Sequence, residues 1–407
     1  MVQEIKKALR ALKFSNLNKK TNEMVLDLVD ELCIREIDPY DTEMEEIGVT
    51  IDGGKVILPP PMPAILVKMA QTDLFGLFAP EEWGGMGLSY ALHCAVIERI
   101  ARSNASISLF LPAHGTALDL ILKHGTEEAK EEYLPKLSAG KYFGALAFTE
   151  PNSGSDLSSV QCAAEQQNDG TWKITGQKIF ITHAGVADLA VGLFSTDRTQ
   201  GARGLSSFII DLKQPGVEVG RLERKLGLHG SSTGELIFEN YRVPAEHLLG
   251  RINKGFPLIL RALTGSRIDI AAQSVGIAKA AYKRALEYSK HRKQFNRPVS
   301  EFQITQVKLA QMATKIHAAR SMYLLAAHHK HQKRPFSNEA CMAKLYASEM
   351  VQEVCGQAIQ IHGGYGFIEE YGVARHYRDA RVCTIYEGTS EIQHLIIAKN
   401  LLTDQNV

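Results

Sequence analysis

A carboxylate beside small and hydroxyl residues, near the C-terminal end, is the first candidate for chemistry. Glu387 follows an aromatic residue and precedes a glycine and two hydroxyl residues in the stretch IYEGTSEIQ, residues 385–393. Glycine lets a ligand approach the backbone closely, and the amides that open a helix can bind polar groups. The pattern fits an active site in which a base is held by its backbone beside a bound ligand, and it also fits a surface turn that caps a helix.

A polar loop after a short apolar run is a second candidate, for binding. The run GALAFTE leads into TEPNSGSD, residues 149–156, where small hydroxyl residues accompany proline and glycine. Such a loop can present backbone N–H groups and the Ser155 hydroxyl to a phosphate or to an amide-like ring. The same residues can also form only an Asx or Ser turn, and the loop alone leaves both interpretations open.

Two other patterns suggest chemistry that the sequence does not support. The glycine fingerprint of a Rossmann domain is absent, because GGMG at 84–87 and HGGYG at 362–366 do not follow convincing strands. HHKH at 328–331 has residue types found in metal sites, but it lies in a helical pattern rich in Lys and Arg and favours a solvated face. The sequence predicts neither a Rossmann domain nor a metal site.

Hydrophobic spacing places the candidates on three successive regions of the chain. Residues 1–143 have a mostly helical pattern, and residues 144–245 carry short β-rich runs between turn residues. From residue 246 to 407 helical spacing returns, with long apolar stripes that favour an antiparallel bundle. The sequence therefore predicts a helical domain at 1–143, a barrel or sandwich at 144–245 and a helical bundle at 246–407.

Composition excludes several classes of function. The 407 residues carry 46 Lys and Arg against 45 Asp and Glu, so no overall charge attracts the chain to nucleic acid or to an acidic membrane. Six scattered cysteines predict reduced thiols in a cytosol-like compartment. The start, MVQEIKKALRALKF, favours a surface helix over a targeting peptide. No window approaches the roughly 20 uninterrupted apolar residues of a membrane span, so no membrane partner is expected.

Six motifs together resemble the acyl-CoA dehydrogenase family over nearly the whole chain. In the family's order and spacing they are TEPNSGSD, KIFIT (178–182), RKQFNRP (292–298), IQIHGGYGF (359–367), YRDAR (377–381) and IYEGTSEIQ. The resemblance implies an N-terminal helical domain, a central β-barrel and a C-terminal four-helix bundle. It also implies non-covalent FAD between the domains and across a subunit interface, which explains the missing glycine fingerprint.

The resemblance assigns roles residue by residue. Thr149 and Thr182 would hydrogen-bond the flavin ring, and Thr389 and Glu391 would contact the flavin behind the base. Walls around the flavin would come from Leu146, Ala147, Phe148, Ser155, Phe180 and Ile181. The adenine and pyrophosphate half would be held, partly from a neighbouring subunit, by Arg292, Gln294, Phe295, Gln303, Gln360, Gly363 and Gly364. Substrate contacts would be Ser155, Thr264, Arg267 and Gly388.

The implied reaction is α,β-dehydrogenation of an acyl-CoA thioester. Glu387 resembles the base that removes the α-proton while the β-carbon gives a hydride to flavin N5, leaving a trans-2-enoyl-CoA. In the family the thioester carbonyl accepts hydrogen bonds from the base's own N–H and from a flavin ribityl hydroxyl. Gly388 would let the thioester pass without a side chain in the way.

Several positions bear on the substrate. Some family members carry the base just before the arginine of the segment TGSR, but here Ser266 stands there, so Glu387 has no rival. Thr264 and His394 depart from residues common in the family and leave the acyl group open. Ile107 stands where glutaryl-type members carry an arginine, which favours an apolar acyl tail over a dicarboxylate.

The resemblance also implies partners and a location. Electrons would leave to an electron-transferring flavoprotein, and the oligomer would be a homotetramer, a dimer of dimers. The expected location is the cytoplasm of a bacterium or the mitochondrial matrix. Two alternatives stay open: a flavin oxidase of the same fold that uses oxygen, and a non-catalytic flavin-binding assembly protein.

Overall fold

A computed structural model describes residues 2–11 and 19–403. The part before residue 143 is mainly helical, as predicted, with one small β-hairpin that the sequence pattern did not indicate. Its helices are α1 (Val2–Ala11), α2 (Lys19–Leu32), α3 (Asp41–Ile47), α4 (Pro61–Gln71), α5 (Tyr90–Ser103), α6 (Ala105–Ser108), α7 (Phe110–His124) and α8 (Glu127–Ser138), and its hairpin strands are β1 (Thr50–Asp52) and β2 (Lys55–Ile57).

The described part of the N-terminal stretch forms a surface helix, as expected. On α1, Val2, Ile5 and Leu9 are buried, and this spacing places them on one face of the helix. Residues 1 and 12–18 of the predicted helical region lie outside the described residues.

The central region is one mixed eight-stranded sheet. Its strands are β3 (Gly144–Ala147), β4 (Ala163–Gln166), β5 (Trp172–Thr182), β6 (Leu189–Ser195), β7 (Leu205–Asp211), β8 (Val217–Leu222), β9 (Thr233–Val243) and β10 (Leu248–Leu249). They lie in the order β10-β7-β6-β4-β5-β9-β8, and β3 also pairs with β6, in parallel.

The predicted closed barrel is wrong in this detail, because the sheet is open. Within residues 144–249, which are all described, the edge strands β8 and β10 do not pair with each other. Closure needs strands that stagger continuously around the ring, whereas β10 has only two residues and β8 loses register against β9 after Val219. Helices cover the sheet instead, since Leu189 and Val191 belong to the same buried cluster as Leu118 of α7.

The C-terminal region is the predicted bundle of long helices. They are α9 (Gly255–His291), α10 (Gln303–His331), α11 (Ser337–His362), α12 (Val373–Ala380) and α13 (Ser390–Thr403), with a short hairpin of β11 (Lys293–Gln294) and β12 (Arg297–Pro298) after α9. Helix α9 packs against both α10 and α11, and α13 packs on α11. Helix α5 also packs along α9, so the N-terminal and C-terminal helices share one buried cluster.

One stretch among the described residues passes a membrane-span test by length and composition alone. It is Ala105–His124, and 83% of its apolar window is buried inside the protein. This burial identifies a core helix.

Candidate active site

The backbone at the candidate base has an unusual conformation. Glu387 has φ 53° and Gly388 has φ 89°, both in the left-handed region. A glutamate in this region costs of order 1–3 kcal/mol and persists only where its surroundings fix it. Such strain is common at functional sites.

Three side chains fix this backbone through two consecutive carbonyl groups. Gln393 donates to the Glu387 carbonyl at 3.3 Å and to the Gly388 carbonyl at 2.9 Å. Arg267 Nε donates to the Glu387 carbonyl at 3.5 Å, and Lys344 Nζ donates to the Gly388 carbonyl at 2.7 Å. In the described part of the chain the Glu387 N–H has no acceptor, so it is open to a ligand.

The Glu387 carboxylate lies in a partly buried, positively charged setting. Burial raises the pKa of Glu387 above its ordinary value, whereas the hydrogen bond from Ser266 and the charges of Arg267 and Lys344 lower it. The carboxyl therefore binds a proton more tightly than a free glutamate does, as a base for a weak carbon acid requires.

Gly388 has a structural reason beyond leaving room for a ligand. A Cβ atom built there would lie 2.7 Å from Gln393 Nε2, and its φ of 89° is rarely adopted by other residues. Any side chain at 388 would therefore disturb the amide that holds the base.

The residues after Gly388 open helix α13. The Thr389 hydroxyl accepts a hydrogen bond from the Ile392 N–H at 3.4 Å. Glu391 is exposed, and its pKa is lowered by its own backbone N–H and by Thr389. These two residues therefore lie one turn from the base.

The TEPNSGSD loop and the KIFIT strand lie side by side. The Ile179 N–H donates to the Thr149 carbonyl at 2.9 Å, which brings Thr149 to the strand that carries Thr182. Both threonines are half-buried. Leu146 and Ala147 lie on β3, Phe148 follows it and is buried, and Ile181 is 2% exposed. Phe180, with a left-handed φ of 57°, is 59% exposed, and Ser155 is exposed.

A second group of predicted residues meets in a cavity of about 640 Å³ between the end of α9 and the end of α11. Arg292, Gln294, Gly363 and Gly364 line it. Arg292 lies over the ring of Tyr365, 5.3 Å from its centroid, and has no hydrogen bond or ion pair from its guanidinium within the described residues.

The structure does not bring the other predicted members of that group into the cavity lining. Gln303 and Gln360 are exposed, and Phe295 is 89% exposed, with its ring edge-on to the ring of Phe302. These residues point outward from the single chain.

Comparison with known proteins covers all three regions of this architecture. Models of the acyl-CoA dehydrogenase N-terminal, middle and C-terminal domains match residues 19–141, 145–241 and 253–402. The chain belongs to the acyl-CoA dehydrogenase family. It is therefore an oxidoreductase.

Similar members of the family are found among studied proteins. The chain is 39% identical to the 3-(aryl)acrylate reductase of Clostridium sporogenes, over 94% of this chain and 98% of that protein. It is 40% identical to the caffeyl-CoA reductase-Etf complex subunit CarC of Acetobacterium woodii, over 96% and 99%. The structure of butyryl-CoA dehydrogenase from Megasphaera elsdenii superposes with a TM-score of 0.89 at 37% identity, over 94% of this chain and 98% of that chain.

The predicted substrate contacts of this acyl-CoA dehydrogenase family member are unequally placed. Arg267 is buried beside the base, but the Thr264 hydroxyl donates to the Leu260 carbonyl of its own helix at 2.9 Å. Ile107 is fully buried on α6. Helix α6 connects to the base through Gln273, which donates to the Ala105 carbonyl at 3.2 Å and accepts from Tyr386.

Sequence reasoning missed a buried ion pair that shapes the Thr149 loop. Lys178 Nζ lies 2.7 Å from Glu150 Oε1, and the Glu150 carboxylate also accepts from the N–H groups of Gln161 and Cys162 at 2.8 and 3.0 Å. Lys178 shares the inward face of β5 with Trp172 and Ile174, at alternate positions. A lysine at an inward strand position is the signal that could have revealed the pair.

The HHKH segment is not the solvated face that was predicted. Lys330 points inward, with Nζ 3.3 Å from the centroid of the Tyr90 ring and 3.8 Å from Asp119 Oδ2. A Cβ atom at Gly265 would lie 2.7 Å from Lys330 Nζ. Among the described residues no group of three or more His, Cys, Asp or Glu could hold a metal ion.

Buried titratable groups continue from Lys330 towards the base. The Tyr90 hydroxyl donates to Asp269 Oδ2 at 2.7 Å, one turn along α9 from Ser266. The pKa of Asp269 is raised to about 7, chiefly by burial and to a smaller extent by the charge of Glu387, against the lowering effect of Lys330. The charge of Glu387 therefore reaches Asp269.

Proposed function

We propose that this chain is an FAD-dependent acyl-CoA dehydrogenase in which Glu387 takes the α-proton of the substrate. The observation that supports this most directly is the setting of the Glu387 carboxylate, which burial makes more basic while Ser266 orients it. The unpaired Glu387 N–H beside it is suited to bind the thioester carbonyl, where negative charge develops as the α-proton leaves.

The residues around the cavity and the TEPNSGSD loop fit FAD. Arg292, which has no other anionic partner in the described residues, is suited to the pyrophosphate. Thr149 and Thr182 offer hydroxyl groups at the partly exposed edge of the sheet, and Phe180 offers an exposed wall. When bound, FAD supplies the acceptor for the hydride that leaves the β-carbon.

The remaining FAD contacts would come from a neighbouring subunit. Phe295, Gln303 and Gln360 point away from the cavity of their own chain, so we assign them to the cofactor of a partner copy. Phe295, Phe367 and Leu402 are between 84% and 89% exposed, which supports burial of these side chains in a homotetramer.

The proposed substrate is a short, branched or medium-chain acyl-CoA. An isoleucine at position 107, where glutaryl-type members carry an arginine, supports an apolar acyl tail, while Ser155, Thr264, Arg267 and Gly388 stay proposed substrate contacts. The proposed electron acceptor is an electron-transferring flavoprotein. The two relatives described above are named as a reductase and as a subunit of a reductase complex, and in that direction Glu387 would return the proton to the α-carbon.

Anaerobic titration with butyryl-CoA tests the proposal through bleaching of the flavin absorbance. The wild type should be reduced, and Glu387→Gln should keep its flavin but react more slowly by about 10²–10⁴-fold or more. Glu349→Gln, an exposed carboxylate elsewhere on α11, is the matched control and should react like the wild type. A Glu387→Gln variant that bleaches within about tenfold of the wild-type rate would show that Glu387 is not the base.

The same assay tests the substrate class. A distal carboxylate beside Ile107 would lose its hydration without gaining a cationic partner, at a cost of several kcal/mol. Glutaryl-CoA should therefore reduce the flavin far more poorly than butyryl-, isobutyryl- or hexanoyl-CoA, and Ile107→Arg should reverse part of this preference. Glutaryl-CoA that matches the best monoacid on the wild type would overturn the apolar-tail assignment.

A further inference from the structure

A lysine lies where the helix pattern calls for an apolar residue. Lys344 is fully buried on α11, in line with buried Ala340, Ala347 and Val351 at helical spacing. Burying an ammonium group is costly unless it is paired and hydrogen-bonded. Its position therefore needs an explanation from what it contacts.

The only hydrogen bond of the Lys344 ammonium within the described residues is to the Gly388 carbonyl, at 2.7 Å. That carbonyl belongs to the residue directly after the proposed base. A charge-assisted hydrogen bond is roughly twice as strong as a neutral one. The Lys344 ammonium therefore stabilises the backbone next to the base and makes no direct hydrogen bond to the Glu387 carboxylate.

We propose that Lys344 is a positioning residue for Glu387: its ammonium holds the Gly388 carbonyl and so fixes the strained backbone from which the carboxylate and the open N–H project. The inference rests on the proposed role of Glu387 as the base. Gln393 supports the same carbonyl with a neutral amide, and Arg267 supports the preceding one.

The charge of Lys344 also affects the proton affinity of the base. Lys344 lowers the pKa of Glu387, as Arg267 does, against the raising effect of burial. The other titratable or charged groups near Lys344 are Cys383, on the turn before the base, Glu391 on α13, Arg267 on α9 and Cys341 on α11 itself. Burial lowers the pKa of Lys344 itself to about 8.

Variants of Lys344 distinguish a role in positioning the base from a role in stabilising the fold. Lys344→Met keeps the stem and removes the charge, so kcat with butyryl-CoA should fall about 10- to 100-fold while KM changes little. The acid limb of kcat/KM against pH should move to higher pH, because Glu387 loses a neighbour that lowers its pKa. Lys344→Arg, which keeps the charge, should have the acid limb of kcat/KM at the wild-type pH and should recover part of kcat.

Controls distinguish the possible failures. Lys315→Met, on α10 and away from the site, should behave like the wild type in rate and pH profile. A folded, flavin-loaded Lys344→Met with the wild-type kcat and acid limb would overturn the positioning role. A wild type that no acyl-CoA reduces would instead overturn the proposed function.

The wild type provides a measurement that needs no folded variant. As pH rises through about 8, Lys344 loses its charge, so flavin reduction by butyryl-CoA should slow with a midpoint in that region. Lys344→Arg should not show this step, since arginine stays charged. If Lys344→Met does not fold, Lys344→Gln, which keeps a hydrogen-bond donor but not the charge, takes its place. A flavin-loaded Lys344→Gln with the wild-type kcat and acid limb would then overturn the proposal.

Discussion

The segment that carries Glu387 and the cavity that carries Arg292 are built in opposite ways. Around Glu387, side chains from α9, α11 and α13 bond two consecutive carbonyl groups, and the carboxylate has a hydroxyl donor. Around Arg292, the guanidinium lies over the Tyr365 ring without a hydrogen bond or ion pair to any described residue, and a Cβ atom at Gly363 or Gly364 would have nothing within 4 Å.

The difference teaches which parts of the site the chain completes by itself. The proposed proton-transfer group is fixed before any ligand arrives, and its orientation costs nothing at the moment of reaction. The proposed cofactor groups are left with free hydrogen-bonding capacity and need the cofactor or another subunit to satisfy it. Variants on the two sides should therefore fail in different ways.

The largest effect on stability should come from the buried ion pair of Lys178 with Glu150, which the chain also completes by itself. Lys178→Met leaves the Glu150 carboxylate buried without its cation, so the free energy of unfolding should fall by about 3–5 kcal/mol. Denaturant titration measures this loss. Arg242→Ala, which breaks the exposed pair with Asp169, should cost less than about 1 kcal/mol. If both variants lose the same free energy of unfolding, burial of the Lys178 pair does not determine the loss.

On the open side, Arg292→Ala should damage binding and spare the fold. Loss of a bidentate phosphate contact should weaken FAD retention by about 10- to 100-fold, since hydrogen bonds to charged groups contribute roughly 1.5–3 kcal/mol. The oligomer should weaken with it, while the unfolding free energy of the apoprotein stays within about 0.5 kcal/mol. Flavin content after gel filtration and mass by light scattering measure both; full FAD occupancy at unchanged mass would count against the assignment.

The same substitution, glycine to alanine, can be compared on the two sides of the site. Gly388→Ala combines a strained φ with a collision against Gln393, and should cost about 1–3 kcal/mol of stability as well as activity. Gly364→Ala meets open space and should leave the apoprotein's stability nearly unchanged. Thermal unfolding of both apoproteins measures the difference, and similar shifts would remove the distinction between the two sides.

The smallest effect at neutral pH should come from a buried histidine. His183 stacks on Phe110, and burial lowers its pKa from 6.5 to about 3. Its neutral form therefore stabilises the fold fully above pH 6.5, and this contribution is lost as pH falls towards 3. His183→Phe should lose less stability on acidification than the wild type, whereas exposed His291→Phe should follow the wild type; parallel curves for His183→Phe would contradict the assignment.

The sequence predicted those candidate residues that lie within continuous motifs. It identified Glu387 and its glycine, the helical, β, helical order, and the cluster of Arg292, Gln294, Gly363 and Gly364. The order of the regions depends on hydrophobic spacing, which the sequence displays directly, whereas the grouping of Arg292 and Gln294 with Gly363 and Gly364 was implied by the family resemblance. The assigned roles of these residues stay predictions for the experiments above.

The missed groups are those whose partners lie far along the chain. Lys344 is 44 residues from Gly388, and Lys178 is 28 residues from Glu150. Ser266 was noted only for lacking a carboxylate, although it donates to Glu387 across 121 positions. Each missed lysine does interrupt an apolar face, and this is a usable signal: a cation on the inward side of a strand or helix predicts a buried acceptor.

Gly265 on α9 leaves the space that the Lys330 ammonium on α10 occupies. A Cβ atom at 265 would meet the flexible end of Lys330, so a larger residue there would shift the ammonium and not the helix backbone. That shift would move the cation from its place beside Tyr90 and Asp119. In relatives that keep the cation in this place, we therefore expect a small residue at 265.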